Sequence, residues 1–360
     1  MNEKLLSIAE QFAIEGKIAS INALGEGFIN DTYVVKTEGD APDYILQRKN
    51  HVVFPDVPGM MDNILAVTEH IKRKVADPMR ETLTVIPTKE GKLYAKEGEN
   101  FWAVCLFIPD TVTYDRADKP ELAYQGGVGI GRFQALLADF DKPLNETIKG
   151  FHNIRWRFQQ WDATIASDPA GRVKDLQEEI GWVESRRKEM LDFWSLVENG
   201  TIPTHVTHND TKISNILFDK PTGNVLCAID LDTVMSSTSL NDFGDAIRSY
   251  TNTGAEDDKC LDNVEMSLDM FRAYAEGYLS EQLPTMSESE LEWLAFAGRY
   301  ITFEQVLRFL MDYIDGDKYY KIAYPDHNLV RTRAQYKLLQ SMERQYPEMQ
   351  KVVKEIQRRH

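Results

Sequence analysis

The chain has 360 residues, and its 42% content of hydrophobic side chains lies in the range of ordinary globular proteins. Its 57 acidic residues outnumber 41 basic ones, and the formal charge of -16 repels nucleic acids and anionic membranes, so we expect neither as a partner. Three widely spaced cysteines and the lack of a long apolar run predict a cytoplasmic protein with reduced thiols.

The first third of the chain carries strand patterns after a short opening helix. The segments KIASINAL, TYVVK and YILQR alternate apolar and polar residues between turns, which predicts an antiparallel meander. VPGMMDNILAVTEHIKRKV has helical spacing, and TLTVI, KLYAK and FWAVCLFI are further strand candidates. Together these patterns predict a small lobe, a sheet of these strands with one longer helix, that ends near Pro109.

From about residue 118 the periodicity is helical, and only a stretch near 204–232 interrupts it. There the apolar runs ILFD and NVLCAI flank the turn KPTG, which predicts a β-hairpin. Because a hairpin starts and ends at the same edge, Asn215 and Asp230 are expected to lie close together, with Asp210 five residues before Asn215. Their oxygen atoms are the ligands that magnesium prefers.

The segment HNDTKISN has the H-x-D-x-x-x-x-N form of aminoglycoside phosphotransferases, choline kinases and their relatives, and AID matches their metal-binding segment. The chain resembles that superfamily. The resemblance implies an α+β, two-lobed protein-kinase-like fold with a small antiparallel-sheet lobe and a larger, mainly helical lobe, here 1–108 and 109–360. It also implies ATP and magnesium as cofactors, Asp210 as the catalytic base, and Asn215 and Asp230 as metal ligands.

The same resemblance assigns nucleotide contacts to the first lobe. Gly27 and Phe28 lie in a turn that resembles the Gly-rich hairpin over the phosphates, and backbone groups from Leu106 to Ile108 are expected to pair with adenine. The strand YILQRKN carries Gln or Arg where these kinases have a phosphate-pairing lysine. Arg48 is therefore the candidate substitute, and a surface-facing strand residue is the alternative.

Within the superfamily, GEGFINDTYVV, YILQRKN and RFLMDYIDGDKYYK are similar to bacterial N-acetylhexosamine 1-kinases. This similarity implies an amino-sugar acceptor, N-acetylglucosamine or N-acetylgalactosamine, that is phosphorylated at the anomeric hydroxyl. It assigns sugar contacts to Asn30, Asp31, Arg308 and Tyr319. For Arg308 and Tyr319, a structural salt bridge and a packed aromatic ring are the alternatives.

Several alternatives remain open at the sequence level. One alternative is a kinase whose hydroxyl acceptor is choline, homoserine, fructosamine or an aminoglycoside. In another, His205, His208 and Asp210 hold the zinc of a hydrolase, and in a third the chain is a non-catalytic kinase relative.

The helix DFGDAIRSY follows the metal segment, and its Asp245 is expected to hold that segment through backbone contacts. Asp232 follows Asp230 by two residues, so strand alternation places it on the same face, near a second metal or in solvent.

Overall fold

The computed structural model describes residues 2–25 and 30–359, so the predicted nucleotide contacts Gly27 and Phe28 lie outside the described residues. The chain divides into two compact units, and each is assembled from three separate segments. Unit 1 comprises Met1–Thr113, Asp139–Lys149 and Leu217–Ser236, and unit 2 comprises Tyr114–Ala138, Gly150–Ile216 and Ser237–His360. The division at residue 108 that the sequence indicated stays a prediction.

The chain contains short strands, and most of them belong to unit 1. They are β1 (Ile18–Ala23), β2 (Asp31–Thr37), β3 (Tyr44–Lys49), β4 (Val85–Ile86), β5 (Ala95–Glu97), β6 (Asn100–Leu106), β7 (Thr111–Val112), β8 (His205–Thr207), β9 (Ile216–Asp219), β10 (Val225–Ala228) and β11 (Met235–Ser237). An antiparallel sheet in the order β1-β2-β3-β6-β4 forms the body of unit 1, and β5 also pairs with β6. All six strand candidates of the first third of the chain form strands of this sheet, and β4 and β5 bond to successive stretches of β6.

The helices follow the predicted change of periodicity. They are α1 (Glu3–Ala9), α2 (Val57–Lys72), α3 (Pro120–Leu136), α4 (Ile154–Ser167), α5 (Gln177–Glu184), α6 (Arg187–Glu198), α7 (Ser239–Tyr250), α8 (Leu268–Gln282), α9 (Glu288–Ile314) and α10 (His327–Gln357). Among the described residues, α1 and α2 are the helices of unit 1, and the others lie in unit 2. No helix in the described ranges is both long and apolar enough to span a bilayer.

Unit 1 is held together by apolar packing and by one buried amide. The apolar face of α1, with Leu5 and Ile8, belongs to one buried cluster with Leu46 of β3. On α2, the Asn63 amide Nδ2 donates to the carbonyl oxygens of Asn145, at 2.9 Å, and Val234, at 3.0 Å. The side chain of one helix therefore ties the three separate segments of unit 1 together.

The predicted hairpin is confirmed, and it is part of a larger sheet. Strands β9 and β10 are neighbours, and β7 pairs with the other edge of β9, with Thr111 opposite Asp219. A 3-10 turn, Ile213–Asn215, leads into β9, and a second, Leu231–Thr233, follows β10. The two turns carry the chemistry that the sequence indicated for this region.

Unit 2 is built around α9, whose 27 residues are buried along most of their length. Helices α3 and α8 pack so closely that a Cβ atom on Gly127 would collide with the carbonyl oxygen of Tyr274. A Cβ atom on Gly277 would likewise collide with the carbonyl of Tyr124. Glycine is required at these two positions because the backbones themselves are in contact.

Candidate active site

The loop between β8 and the turn Ile213–Asn215 carries Asp210 in unit 2. The Asp210 carboxylate oxygen Oδ2 accepts hydrogen bonds from Lys212 Nζ and from Asn215 Nδ2, both at 2.9 Å. Asn215 Nδ2 also donates to the main-chain carbonyl of Asp210 at 2.9 Å. The side chain of Asp210 is 28% exposed, so this oriented carboxylate remains accessible to a small molecule. The two loop residues Asp210 and Asn215 are brought together as the motif predicted.

A buried carboxylate on α7 shapes the start of this loop. Asp242 Oδ2 accepts the backbone N–H of His208 at 2.9 Å, and Oδ1 accepts that of Asn209 at 2.7 Å. Gln134 of α3 donates to the same carboxylate at 2.7 Å. Burial raises the pKa of Asp242 above its ordinary value, while the donated hydrogen bonds oppose that shift. Asp242 therefore acts on the loop as an acceptor of backbone hydrogen bonds.

One turn later on α7, Asp245 holds the next part of the loop. Its Oδ2 accepts the backbone N–H of Thr211 at 2.8 Å. Burial alone would raise the pKa of Asp245, but the charge of Arg248 brings it below the ordinary value, so the carboxylate is ionised. The observed contact is to the loop of Asp210, whereas the sequence indicated the loop that follows Asp230. Helix α7 thus fixes the backbone on both sides of the candidate base.

The histidines near this loop are structural. His208 is fully buried, and its Nδ1 accepts the backbone N–H of Asp210 at 3.3 Å. His205 instead bonds Glu290 at 2.9 Å. Across residues 2–25 and 30–359, no group of three His, Cys, Asp or Glu side chains is arranged to hold a metal ion. The zinc site that would use His205, His208 and Asp210 is therefore not formed.

In unit 1, the last residue of β3 is a buried cation. Lys49 Nζ lies 2.7 Å from Asp232 Oδ1 and donates to Gln47 Oε1 at 2.8 Å. The Lys49 and Asp232 side chains are 5% and 4% exposed. Burial lowers the pKa of Lys49, but the charges of Asp232 and Asp230 outweigh this effect and raise it above its ordinary value. The lysine is therefore charged at neutral pH.

Arg48 lies on the other face of β3, because neighbouring residues of a strand point in opposite directions. Its Nε bonds Asp31 Oδ2 at 2.7 Å, its Nη1 bonds Asn100 Oδ1 at 3.2 Å, and its side chain is 33% exposed. Asp31, a predicted sugar contact, is occupied in this ion pair. Lys49 is thus the buried cation of this strand and Arg48 the partly exposed one, and the nucleotide contact of Arg48 stays a prediction.

Asp232 lies in a turn, so the strand alternation that predicted its position does not apply to it. Asp230 has a left-handed backbone with φ of 57°, and the turn Leu231–Thr233 follows it. Asp232 is 3% exposed, so it does not face solvent. Asn30, a predicted sugar contact, donates its amide to Asp232 Oδ2 at 2.7 Å and accepts the N–H of Asn50 at 3.1 Å. Its observed contacts therefore support the Lys49–Asp232 pair.

The predicted adenine-binding stretch forms the end of β6 and the residues after it. The backbone N–H of Leu106 donates to the carbonyl of Thr84 at 2.9 Å. Ile108 is 4% exposed, and its carbonyl accepts a hydrogen bond from the Thr111 hydroxyl at 2.9 Å. These contacts stabilise unit 1, and adenine pairing by Leu106 and Ile108 stays a prediction.

A cavity of about 240 Å³ opens in unit 2 between α4, the end of α9 and the segment after it. It brings together both predicted sugar residues of the C-terminal part of the chain. The polar and aromatic lining includes Arg157, Arg308, Asp312, Asp315, Tyr319 and Tyr320. Such a concave mixture of aromatic and hydrogen-bonding groups is typical of a site for a small polar molecule.

Arg308 is surrounded by aromatic rings in this cavity. Its guanidinium carbon lies 5.8 Å from the ring centres of Phe151 and Tyr319 and 5.6 Å from that of Tyr320. Its Nη1 donates to Gln305 at the long distance of 3.4 Å. In the part of the chain that the structure describes, no carboxylate forms an ion pair with Arg308. The structural salt bridge considered for this residue is therefore not formed.

Asp312 positions the two tyrosines of the cavity through their backbones. Its Oδ1 accepts the N–H groups of Lys318 at 3.0 Å and Tyr319 at 2.8 Å, and its Oδ2 accepts that of Tyr320 at 3.0 Å. Tyr319 is 59% exposed, so it is not a packed core ring. The segment that carries both tyrosines is thereby fixed against the end of α9.

The chain is similar to known proteins in family and in fold. A family model described as the phosphotransferase enzyme family matches residues 20–281. An aminoglycoside phosphotransferase from Alicyclobacillus acidocaldarius is 12% identical with a TM-score of 0.58, over 95% of this chain and 96% of that one. Spectinomycin phosphotransferase in complex with ADP and spectinomycin is 12% identical with a TM-score of 0.62, over 96% and 98% of the two chains.

A choline kinase from Cryptosporidium parvum is also similar, at 14% identity and a TM-score of 0.51. The match covers 91% of this chain and 90% of that one. At identities this low, these likenesses show a common fold and nothing finer. The predicted α+β, kinase-like fold is confirmed.

Proposed function

The chain belongs to the phosphotransferase enzyme family, and we propose that it is an ATP- and magnesium-dependent kinase that phosphorylates a hydroxyl group of a small molecule. The observation that carries the proposal is the Asp210 carboxylate, oriented by Lys212 and Asn215 in a loop whose backbone is held by buried carboxylates. Phosphoryl transfer requires positioning and charge neutralisation above all, and this arrangement supplies a positioned base.

We propose that Asp210 Oδ1 takes the proton of the acceptor hydroxyl. Both side-chain donors described at this carboxylate reach Oδ2, so Oδ2 is the anchored oxygen and Oδ1 is the one directed to the substrate. The ammonium group of Lys212, 2.9 Å from Oδ2, holds the carboxylate in this orientation. Asp210 then orients the acceptor hydroxyl and takes its proton as the phosphoryl group is transferred.

The nucleotide would be bound by Lys49 and a magnesium ion. Asn215 of unit 2 and Asp230 of unit 1 each carry side-chain oxygen, the ligand that a hard divalent cation prefers. Asn215 donates its Nδ2–H to Asp210, so the Oδ1 atom of Asn215 is the one that would bind the metal. When bound, magnesium neutralises charge on the phosphates. Lys49, charged and held by Asp232, is the candidate phosphate-pairing cation of unit 1.

We further propose that the cavity of unit 2 binds the acceptor and that the acceptor is an uncharged amino sugar, N-acetylglucosamine or N-acetylgalactosamine, phosphorylated at the anomeric hydroxyl. Two guanidinium groups, Arg157 and Arg308, line this cavity. Arg157 is paired with Glu304, Asp315 is paired with Lys318, and Asp312 accepts three backbone N–H groups, so Arg308, which has no carboxylate ion-pair partner among the described residues, disfavours cationic acceptors such as choline or an aminoglycoside. The N–H groups of Arg308 suit the oxygen atoms of hydroxyl and acetyl groups, and Tyr319 provides an exposed ring and hydroxyl.

The test is an ATP-consumption screen over amino sugars, choline, homoserine and aminoglycosides, with and without magnesium. We expect turnover with N-acetylglucosamine or N-acetylgalactosamine, dependence on magnesium, and a 1-phosphate product detected by ³¹P NMR. Turnover with choline or an aminoglycoside alone would refute the amino-sugar assignment and leave the kinase assignment intact. Failure to bind magnesium-ATP in calorimetry would refute both.

A further inference from the structure

A buried histidine lies directly beneath the loop of Asp210. His152 is 4% exposed and lies in unit 2, in the segment just before α4. Its Nδ1 is 2.6 Å from Glu304 Oε2 on α9, and its Nε2 is 3.2 Å from the main-chain carbonyl oxygen of Asn209. Asn209 is the residue that precedes Asp210. A single imidazole ring therefore links a buried carboxylate of α9 to the backbone of the candidate base.

Both hydrogen-bond partners of this ring are acceptors, and this determines its protonation state. A main-chain carbonyl accepts only, and a carboxylate donates only when it is protonated. Although burial raises the pKa of Glu304, its Oε1 accepts a hydrogen bond from the Arg157 guanidinium at 3.2 Å, and this cation stabilises the carboxylate as an anion independently of the ring. Each ring nitrogen must then carry a proton. His152 is an imidazolium ion.

A second buried histidine of unit 2 provides an internal contrast. His327 Nδ1 accepts the backbone N–H of Ala323 at 3.1 Å, and its Nε2 lies 2.8 Å from Asp257. One partner of this ring donates and the other accepts, so the neutral tautomer protonated at Nε2 satisfies both. Two histidine–carboxylate pairs of similar length therefore differ in charge because their second partners differ.

The carbonyl that accepts the hydrogen bond from His152 belongs to Asn209, whose backbone conformation is unusual. Asn209 has a φ of 66°, in the left-handed region that residues other than glycine seldom adopt. Asp242 holds its N–H at 2.7 Å, and His152 holds its carbonyl. The backbone of the residue that precedes Asp210 is thus held on both its N–H and its carbonyl side. A charged donor makes the stronger hydrogen bond, because charge-assisted bonds are shorter and stronger than neutral ones.

The same ion pair reaches the wall of the cavity. Glu304 Oε1 accepts a hydrogen bond from Arg157 Nε at 3.2 Å, and Arg157 lines the cavity with Arg308. His152, Glu304 and Arg157 therefore form a continuous chain of contacts from the backbone of the base to the proposed acceptor pocket. The carboxylate of Glu304 also reduces the repulsion between the two guanidinium groups.

From this geometry we infer that His152 is a positioning residue of the phosphotransferase: as an imidazolium ion it holds the Asn209 carbonyl and so aims Asp210 at the acceptor. The inference rests on the proposed function of Asp210. Loss of the proton from His152 would weaken the hold on Asn209 and lower turnover at alkaline pH. The charges that act on the ring from the packed elements are those of Glu304 and Arg308 of α9 and Asp245 of α7. Tyr300 of α9 donates its hydroxyl to the main-chain carbonyl of His152, and Arg157 of α4 contacts Glu304.

The first experiment measures the charge of the ring and needs no substrate. In ¹⁵N NMR spectra of the full chain at pH 7.5, we expect both nitrogens of His152 to show the shifts of protonated imidazole, whereas His327 shows one protonated and one bare nitrogen. In Glu304→Gln, His152 should lose its proton at a pH at least about one unit lower, since the neutral amide no longer stabilises the cation. A neutral His152 in the wild type at pH 7.5 overturns the inference.

The second experiment measures turnover as a function of pH. We expect His152→Phe to lower kcat by about tenfold to a hundredfold, with the KM for ATP within about twofold. His152→Gln retains a donor and should recover part of that loss, and the matched control His327→Gln should stay within about threefold of wild type. Glu304→Gln should move the alkaline fall of kcat to lower pH, an effect that a purely structural role would not produce.

The two outcomes separate this inference from the proposed function. Wild-type kcat in His152→Phe, or an alkaline limb unmoved in Glu304→Gln, refutes the positioning role while the kinase assignment stands. A wild-type chain that turns over no acceptor refutes the proposed function and with it the positioning role, whatever the NMR titration shows of the ring's charge. If His152→Phe does not fold, the comparison of His152→Gln with His327→Gln decides the question.

Discussion

The two units of the molecule hold their functional charges in opposite ways. In unit 1 the cation Lys49 is itself buried, and it depends on a buried carboxylate, Asp232, for its charge. In unit 2 the candidate base Asp210 is partly exposed, and the buried carboxylates Asp242 and Asp245 hold the backbone around it. In unit 1 the candidate functional charge and the carboxylate that stabilises it therefore form one buried pair, whereas in unit 2 the candidate base and the carboxylates that hold its loop are different residues.

The largest effect expected from this difference is at Asp210. Asp210→Asn should lower kcat by about two to four orders of magnitude, because the amide cannot accept the acceptor proton, with nucleotide affinity nearly unchanged. The melting temperature should stay close to wild type, since the side chain is partly exposed. Asp192→Asn, an exposed residue of α6, is the control. Near-normal turnover, or unfolding of Asp210→Asn, would break the comparison.

The next effect concerns the buried pair of unit 1. Asp232→Asn should lower the free energy of unfolding by about 3–5 kcal/mol, because it leaves the charge of Lys49 without its main partner. Urea unfolding measures this loss, and the double variant Lys49→Met with Asp232→Leu should lose less. Lys17→Met removes one member of an exposed pair with Glu38 and should cost under about 1 kcal/mol. Equal losses at Asp232 and Lys17 would contradict the assignment of Asp232.

The free energy of unfolding should fall in acid because buried carboxylates of unit 2 contribute to it only while they are ionised. Because the pKa of Glu304 falls from 4.5 to about 2 on folding, Glu304 contributes stability that is present above pH 4.5 and is lost as the pH falls toward 2. The contribution is about 3 kcal/mol at neutral pH. Urea unfolding at pH 7, 4.5 and 3 should therefore show a smaller acid-induced loss in Glu304→Gln than in wild type. Exposed Glu348→Gln should follow the wild type, and parallel curves for Glu304→Gln would refute this role.

The smallest effects belong to the walls of the cavity. Arg308→Ala should raise the KM for the acceptor by an amount equivalent to about 1–3 kcal/mol of lost polar contact, while the KM for ATP stays within about twofold. Tyr319→Phe should cost less than Arg308→Ala. Arg344→Ala, at an exposed and weakly paired arginine, is the control. An equal rise in both KM values in Arg308→Ala would indicate a structural role.

The sequence by itself determined the parts of the site that depend on local patterns. Alternating apolar runs around a turn predicted the hairpin of β9 and β10, and the spacing of Asp210 and Asn215 placed both in one loop. These features are readable because each depends on residues close together in the chain. The change from strand to helical periodicity likewise predicted a sheet in the first third of the chain and helices in most of the remainder.

The tertiary structure decided the pairings between distant residues. Lys49 and Asp232 are 183 residues apart, and His152 and Glu304 are 152 residues apart. The sequence motif did not show which of Arg48 and Lys49 is buried, because the face of a strand that points inward is fixed by the register of β3 in the sheet. No local pattern marks His152 as a charged residue, because its charge follows from two acceptors that only the folded chain brings to its ring.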